Sequence, residues 1–171
     1  MRFKKSVEEI LNKQINAEFW SAYLYLSMSS YLAQKGYSGF ANWMRVQYQE
    51  EISHALKIFD YVLSRGGDVK LTPIDKVETE WKDINEIFQS TYDHECLVTD
   101  MIHECYEVAV KERDHATANM LNWFIDEQAE EEEAAMEIID KLKIIGSKGS
   151  GLYMLDRELA SRTFTDETQE A

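Results

Sequence analysis

The segment GGDVKLTPIDKVETE, residues 66–80, decides how this chain folds. It contains Pro73, the only proline of the sequence, and it separates two pairs of long helical stretches. In those stretches apolar residues recur at steps of three and four, the period of an amphipathic helix. The first pair runs from about Ser6 to Gln34 and from about Ser38 to Arg65. Ser6 and Glu9 match a capping box at the start of the first helix. The second pair covers roughly Trp81 to Glu112 and His115 to Ile145, the latter stopping at Gly146.

Connection lengths set the topology. The turn around Gly36 to Gly39 and the one near Arg113-Asp114 are short, so each pair should form an antiparallel hairpin. A helix of about 28 residues is about 42 Å long. The 15 residues from Gly66 to Glu80 can reach roughly 50 Å when extended, enough to run back along such a helix. The expected fold is therefore all-α, a four-helix bundle with one long crossover loop. A Gly-rich hinge, Gly146 to Gly151, precedes a short amphipathic fifth helix at Leu152 to Leu159. We expect one domain over residues 1–160, and a polar, disordered tail over 161–171.

Each long helix has one inward stripe. The stripes read Leu11, Gln14, Glu18, Ala22, Tyr25, Ser29, Leu32; Phe40, Met44, Gln47, Glu51, His54, Ile58, Tyr61; Ile84, Phe88, Thr91, Glu95, Val98, Ile102, Cys105; and Leu121, Phe124, Gln128, Glu131, Ala135, Ile138, Leu142. The polar members sit near mid-helix in every stripe, and the middles of antiparallel helices of similar length lie at one level. Four helices thus aim Glu18, Glu51, His54, Glu95, Gln128 and Glu131 at one layer. Buried carboxylates repel one another and lose hydration, a cost that bound cations would offset. The oxygen-rich set, without thiolates, points to iron or manganese before a structural zinc. Glu51-x-x-His54 alone is a weak signal, since such pairs are common on surfaces. The coincidence of four helices is what carries weight. Glu50, Glu127 and Glu130 flank the stripes and suggest an adjacent, more open cation site. Tyr25 is two turns beyond Glu18 on the same face, either a core tyrosine or a group beside the metals. Trp123 reads as packing, and His94, His103 and His115 as surface residues.

Composition limits the alternatives. With 171 residues and 44% hydrophobic content, the chain supports one core. A net charge of −14 disfavours nucleic-acid backbones and anionic membranes as partners. No apolar run is long enough for a bilayer, and the N-terminus shows no signal peptide, so a cytoplasmic location is expected. Cys96 and Cys105 lie about 13 Å apart along one helix and should be free thiols.

At these residues the chain resembles the prokaryotic non-haem ferritins. The likeness covers nearly all of it, through Asn16-Ala17-Glu18, Glu50-Glu51-Ile52-Ser53-His54, Tyr92-Asp93-His94-Glu95, Glu127-Gln128-Ala129-Glu130-Glu131 and Gly151-Leu152-Tyr153. Where a generic di-iron bundle repeats Glu-x-x-His on its fourth helix, this chain reads Gln128-x-x-Glu131, as ferritins do. The resemblance implies a ferritin-like bundle in which Glu18, Glu51 and His54 hold one iron. Glu51 would bridge to a second iron held by Glu95 and Glu131, with Gln128 close by. Glu50, Glu127, Glu130 and Glu131 match the extra iron site of bacterial ferritins, and Tyr25 matches the tyrosine beside the centre. It further implies a ferroxidase that oxidises Fe(II) with O₂ or H₂O₂ and stores ferric mineral in a 24-subunit homo-oligomeric shell. By the same resemblance, the short C-terminal helix would line channels in that shell. Relatives fit less well. Rubrerythrins add a Cys-x-x-Cys module, the haem methionine of bacterioferritins is Ile52 here, so no haem is expected, and the DNA-coating mini-ferritins lack the C-terminal helix. The alternative readings are a non-storing di-iron oxygenase or peroxidase, and a bundle whose carboxylates are incidental.

Overall fold

In a computed structural model describing residues 3–146 and 148–169, the secondary structure is entirely helical among those residues. The elements are α1 (Lys5–Gln34), α2 (Ser38–Ser64), α3 (Ile84–Lys111), α4 (His115–Ile145) and α5 (Ser150–Leu159), with a 3₁₀ turn at Glu167–Gln169. None of these helices is long and apolar enough to cross a membrane.

The crossover runs back along α1, as its length requires. Asn12 brackets its start: Nδ2 donates to the Asp68 carbonyl at 2.9 Å, and Oδ1 accepts from the Lys70 amide at 2.6 Å. Asn16 then donates to the carbonyls of Thr72 and Pro73, both at 3.2 Å. Ser27 donates to the Glu78 carbonyl at 2.6 Å, and the Tyr31 hydroxyl to that of Trp81 at 2.5 Å. Asn12 and Tyr31 are about 28 Å apart along a helix. The loop thus returns the chain to the end where α2 began, and α3 descends beside α1 in the opposite direction. At the other end Arg65 closes on Asp114 with two contacts of 3.1 Å, joining the end of α2 to the start of α4.

The two sides of the bundle have different starts. Asp83 caps α3 by accepting from the amides of Asn85 and Glu86 at 2.9 and 3.0 Å, so that helix begins at Ile84 rather than at Trp81. The capping box expected at Ser6 and Glu9 is absent. Helix α1 begins one residue earlier, with Lys4 at the cap position and no side-chain cap, which places Ser6 inside the first turn. Nor does α2 have a cap of its own. Asp156 of α5 serves instead, its Oδ1 accepting from the amides of Gly39 and Phe40 at 2.9 and 3.0 Å. Gly39 permits this approach, since a Cβ there would sit 1.5 Å from the Asp156 carbonyl oxygen.

All the inward residues read from the sequence are buried except Ser29 and Tyr61, which are partly so. The apolar core is split in two. One part, around Met28, Phe40, Met44, Phe88, Ile138 and Leu152, lies toward α5. The other, around Leu11, Ile58, Ile102, Leu121 and Phe124, lies toward the Arg65–Asp114 end. The carboxylate layer separates them. Both cysteines are free, and Cys105 is buried, as expected.

In the stretch expected to be a disordered tail, Arg162 reaches Gln47 and Glu50 on α2, and Lys57 donates to the Thr168 carbonyl at 3.0 Å. The Arg162 side chain and backbone carbonyls of this stretch thus bond to α2. Glu170 and Ala171 lie outside the described residues.

Candidate metal centre

Mid-helix positions on four stripes put five ionisable groups in the bundle interior. Glu95 is fully buried, Glu18 and Glu51 are 1% exposed, His54 2% and Glu131 5%. Glu18, Glu51 and His54 offer ligand atoms lying within 4.8 Å of one another, and His54, Glu127 and Glu131 form a second such group. His54 joins the two, with Nδ1 3.7 Å from Glu51 and Nε2 3.6 Å from Glu127.

Amides hold the surrounding carboxylates by one oxygen each. Gln14 donates to Glu18 Oε1 at 2.9 Å, and Gln47 to Glu131 Oε2 at 2.7 Å. Glu95 has both oxygens engaged, one by the Tyr25 hydroxyl and the other by Gln128 at 3.1 Å. Left over are Glu18 Oε2 and both oxygens of Glu51, buried and without any hydrogen-bond partner. Unpaired buried carboxylate oxygens are costly, and these converge with an imidazole nitrogen. They fit a hard or borderline cation that accepts mixed oxygen and nitrogen ligands.

The electrostatics show how strongly the metal-free site resists charge. Burial, and then the neighbouring Glu131, push Glu95 up to about 8. Glu51 is raised well above the usual carboxylate range by burial, with Glu95 and Glu18 adding to it, and Glu131 is raised for the same first reason. Burial and the facing Glu95 lift the Tyr25 hydroxyl well above 10. Burial alone would lower His54, but the carboxylates of Glu127 and Glu51 outweigh it and hold the imidazole well above its usual value.

The structure brings together Glu18, Glu51, His54, Glu127 and Glu131, with Gln128 and Tyr25 bound to Glu95 beside them. Of the four residues of the expected extra site, Glu127 and Glu131 group with His54, and Glu50 stands within electrostatic reach of both. Glu130 is exposed, and Glu50 is paired with Arg162. His103 and His115 are exposed, as expected, but His94 is not a surface residue. It bonds Ser21 Oγ at 2.8 Å and packs against Trp20 and Tyr25, and burial pushes its pKa down to about 4. Trp123 packs edge-on to Phe124 and His54. Gln14 and Gln47 were legible only as polar members of their stripes, each one helical turn from a carboxylate, a spacing that could have marked them as supports. Arg162 carried no such signal.

A family model described as the ferritin-like domain matches residues 8–145. The bacterial non-heme ferritin of Bacteroides fragilis is 41% identical over 158 residues, covering 92% of this chain and 98% of that protein. That of Staphylococcus haemolyticus is 40% identical, covering 95% and 98%. Among solved structures, an engineered closed form of the Archaeoglobus fulgidus ferritin superposes with a TM-score of 0.94 at 50% identity, covering 95% of this chain and 99% of that one. The open-pore ferritin of the same archaeon gives 0.92 at 49%, covering 94% and 98%.

Proposed function

The chain belongs to the ferritin family, and on that premise we propose that it oxidises Fe(II) at the carboxylate layer and stores the ferric product within a homo-oligomeric shell. The observation that carries this reading is the set of unpartnered oxygens of Glu18 and Glu51 beside His54, in a layer built by four helices. As substrate, one ferrous ion fits Glu18, Glu51 and His54. A second fits between Glu51, Glu131 and Glu95 once Glu95 turns from Tyr25 and Gln128.

The chain's contribution is charge and geometry. Carboxylate ligands favour the ferric state, and two adjacent ions can each give one electron to a single O₂ or H₂O₂. Gln14 and Gln47 hold Glu18 and Glu131 by one oxygen, leaving the second to face the ion. Protons displaced from Glu51, His54, Glu95 and Glu131 leave as the ions bind. Product then passes to the cavity of a shell, for which the family's 24-subunit assembly is the proposed form, in the cytoplasm.

The test is iron retained per chain after aerobic loading of the metal-free protein with excess Fe(II), read on the gel-filtration peak. Many irons per chain in a very large particle are expected. About two per chain in a small particle would instead indicate a non-storing di-iron oxygenase or peroxidase. Glu51→Ala and His54→Ala should each abolish fast oxidation while helical content stays that of the wild type. Wild-type oxidation rates in both would sink the assignment.

A further inference from the structure

The segment after α5 turns back along α2 and is fastened there. Asn42 Nδ2 donates to the carbonyls of Leu159 and Arg162 at 3.1 and 2.9 Å. Between this anchor and the Lys57–Thr168 bond, Arg162 points inward with its guanidinium 4.7 Å over the ring of Trp43. Nη1 donates to Gln47 Oε1 at 2.5 Å, and Nη2 to both oxygens of Glu50, at 3.1 and 2.8 Å. A flat cation stacked on an indole, with several N–H groups fixed at once, uses properties that lysine lacks.

Two effects on the metal centre follow. A glutamine amide has one accepting and one donating end. With Oε1 given to Arg162, Gln47 must turn Nε2 toward Glu131, where it donates at 2.7 Å. Arg162 therefore fixes the amide that holds Glu131. In addition, both oxygens of Glu50 are occupied by the guanidinium, on the side where the family resemblance expects an extra iron. Glu130, the outermost residue of that expected set, is exposed.

We infer that Arg162 is a tethered cation that takes the place of a third metal ion at Glu50, and a positioning residue that orients Gln47 and Glu131. The tail thus limits the centre to two ions. This rests on the dinuclear reading above. The test is anaerobic Co²⁺ binding to the assembled metal-free protein, counted by calorimetry and followed by visible absorption of the bound ion. The wild type is expected to take two Co²⁺ per chain. Arg162→Ala should take three, and the third should vanish in Arg162→Ala/Glu50→Gln. The Co²⁺ spectrum of Arg162→Ala should also shift, because Gln47 is free to turn. If Arg162→Ala fails to assemble, Glu50→Gln in the otherwise intact chain decides: a count that stays at two supports the inference, and a lost ion overturns it. Two ions in every variant would overturn this inference alone. No Co²⁺ uptake by the wild type would overturn the dinuclear reading and the inference with it.

Discussion

At the scale of single residues, the metal-free centre should make the protein sensitive to pH. Glu95 keeps its proton up to about pH 8 in the fold, against an ordinary value of 4.5. Glu51 and Glu131 are shifted in the same direction. A group with a raised folded pKa adds stability below its unfolded pKa, and that stability is lost as pH rises through the folded one. His94 works the other way, its folded value of about 4 lying below the usual 6.5. Its opposing effect is complete by about pH 6.5, so above that pH the carboxylates set the slope together with His54, whose folded value is also raised. The metal-free protein should therefore lose about 1.4 kcal/mol per chain per pH unit for each retained proton between pH 6.5 and 8. Thermal unfolding with chelator present at the two pH values measures this. Glu95→Gln, which keeps the shape and removes the titration, should flatten the slope; an equal slope would refute the attribution. Glu18, Glu51, His54, Glu95 and Glu131 were legible in the sequence because helical periodicity fixes which way a side chain points. His94 was not, because its burial comes from Trp20 and Tyr25 on α1, which no spacing within α3 records.

At the scale of elements, the four long helices and their hairpins followed from periodicity and loop length, with ends misplaced by one to three residues at most. The largest miss is the start of α3, expected at Trp81, where the cap Asp83 sets the first residue at Ile84. Helix ends are set by which group satisfies the first free amides, and these groups are local only for α3 and α4, through Asp83 and Asp114. For α2 the group is Asp156, which belongs to another helix. Gly39→Ala should force α5 away from α2, since the added methyl would meet backbone rather than a flexible side chain. We expect a loss of stability of about 1–3 kcal/mol and faster protease cleavage between α4 and the tail. Cleavage at the wild-type rate would show that α5 docks by other means. Asp156→Ala should keep α5 in place by its buried Leu152, Leu155 and Leu159 while speeding amide exchange at Gly39 and Phe40. The cost expected for a lost cap is about 1 kcal/mol.

At the scale of the whole molecule, a net charge of −14 on 171 residues attracts cations and repels anionic surfaces. If that field steers Fe(II) to the site, the initial oxidation rate should fall as salt shortens the screening length from about 30 Å at 0.01 M to about 3 Å at 1 M. A rate independent of salt in stopped-flow measurements would show that delivery is not electrostatic. The topology has one further effect. Asp156 lies 117 residues downstream of the Gly39 amide it serves. A ribosome that adds about 5–20 residues per second makes that interval last on the order of ten seconds. Throughout it the newborn α1–α2 hairpin stands with open donors at its tip. A stretch made long after the first hairpin is the one that fastens it, so a chain released before Asp156 carries an unfinished beginning.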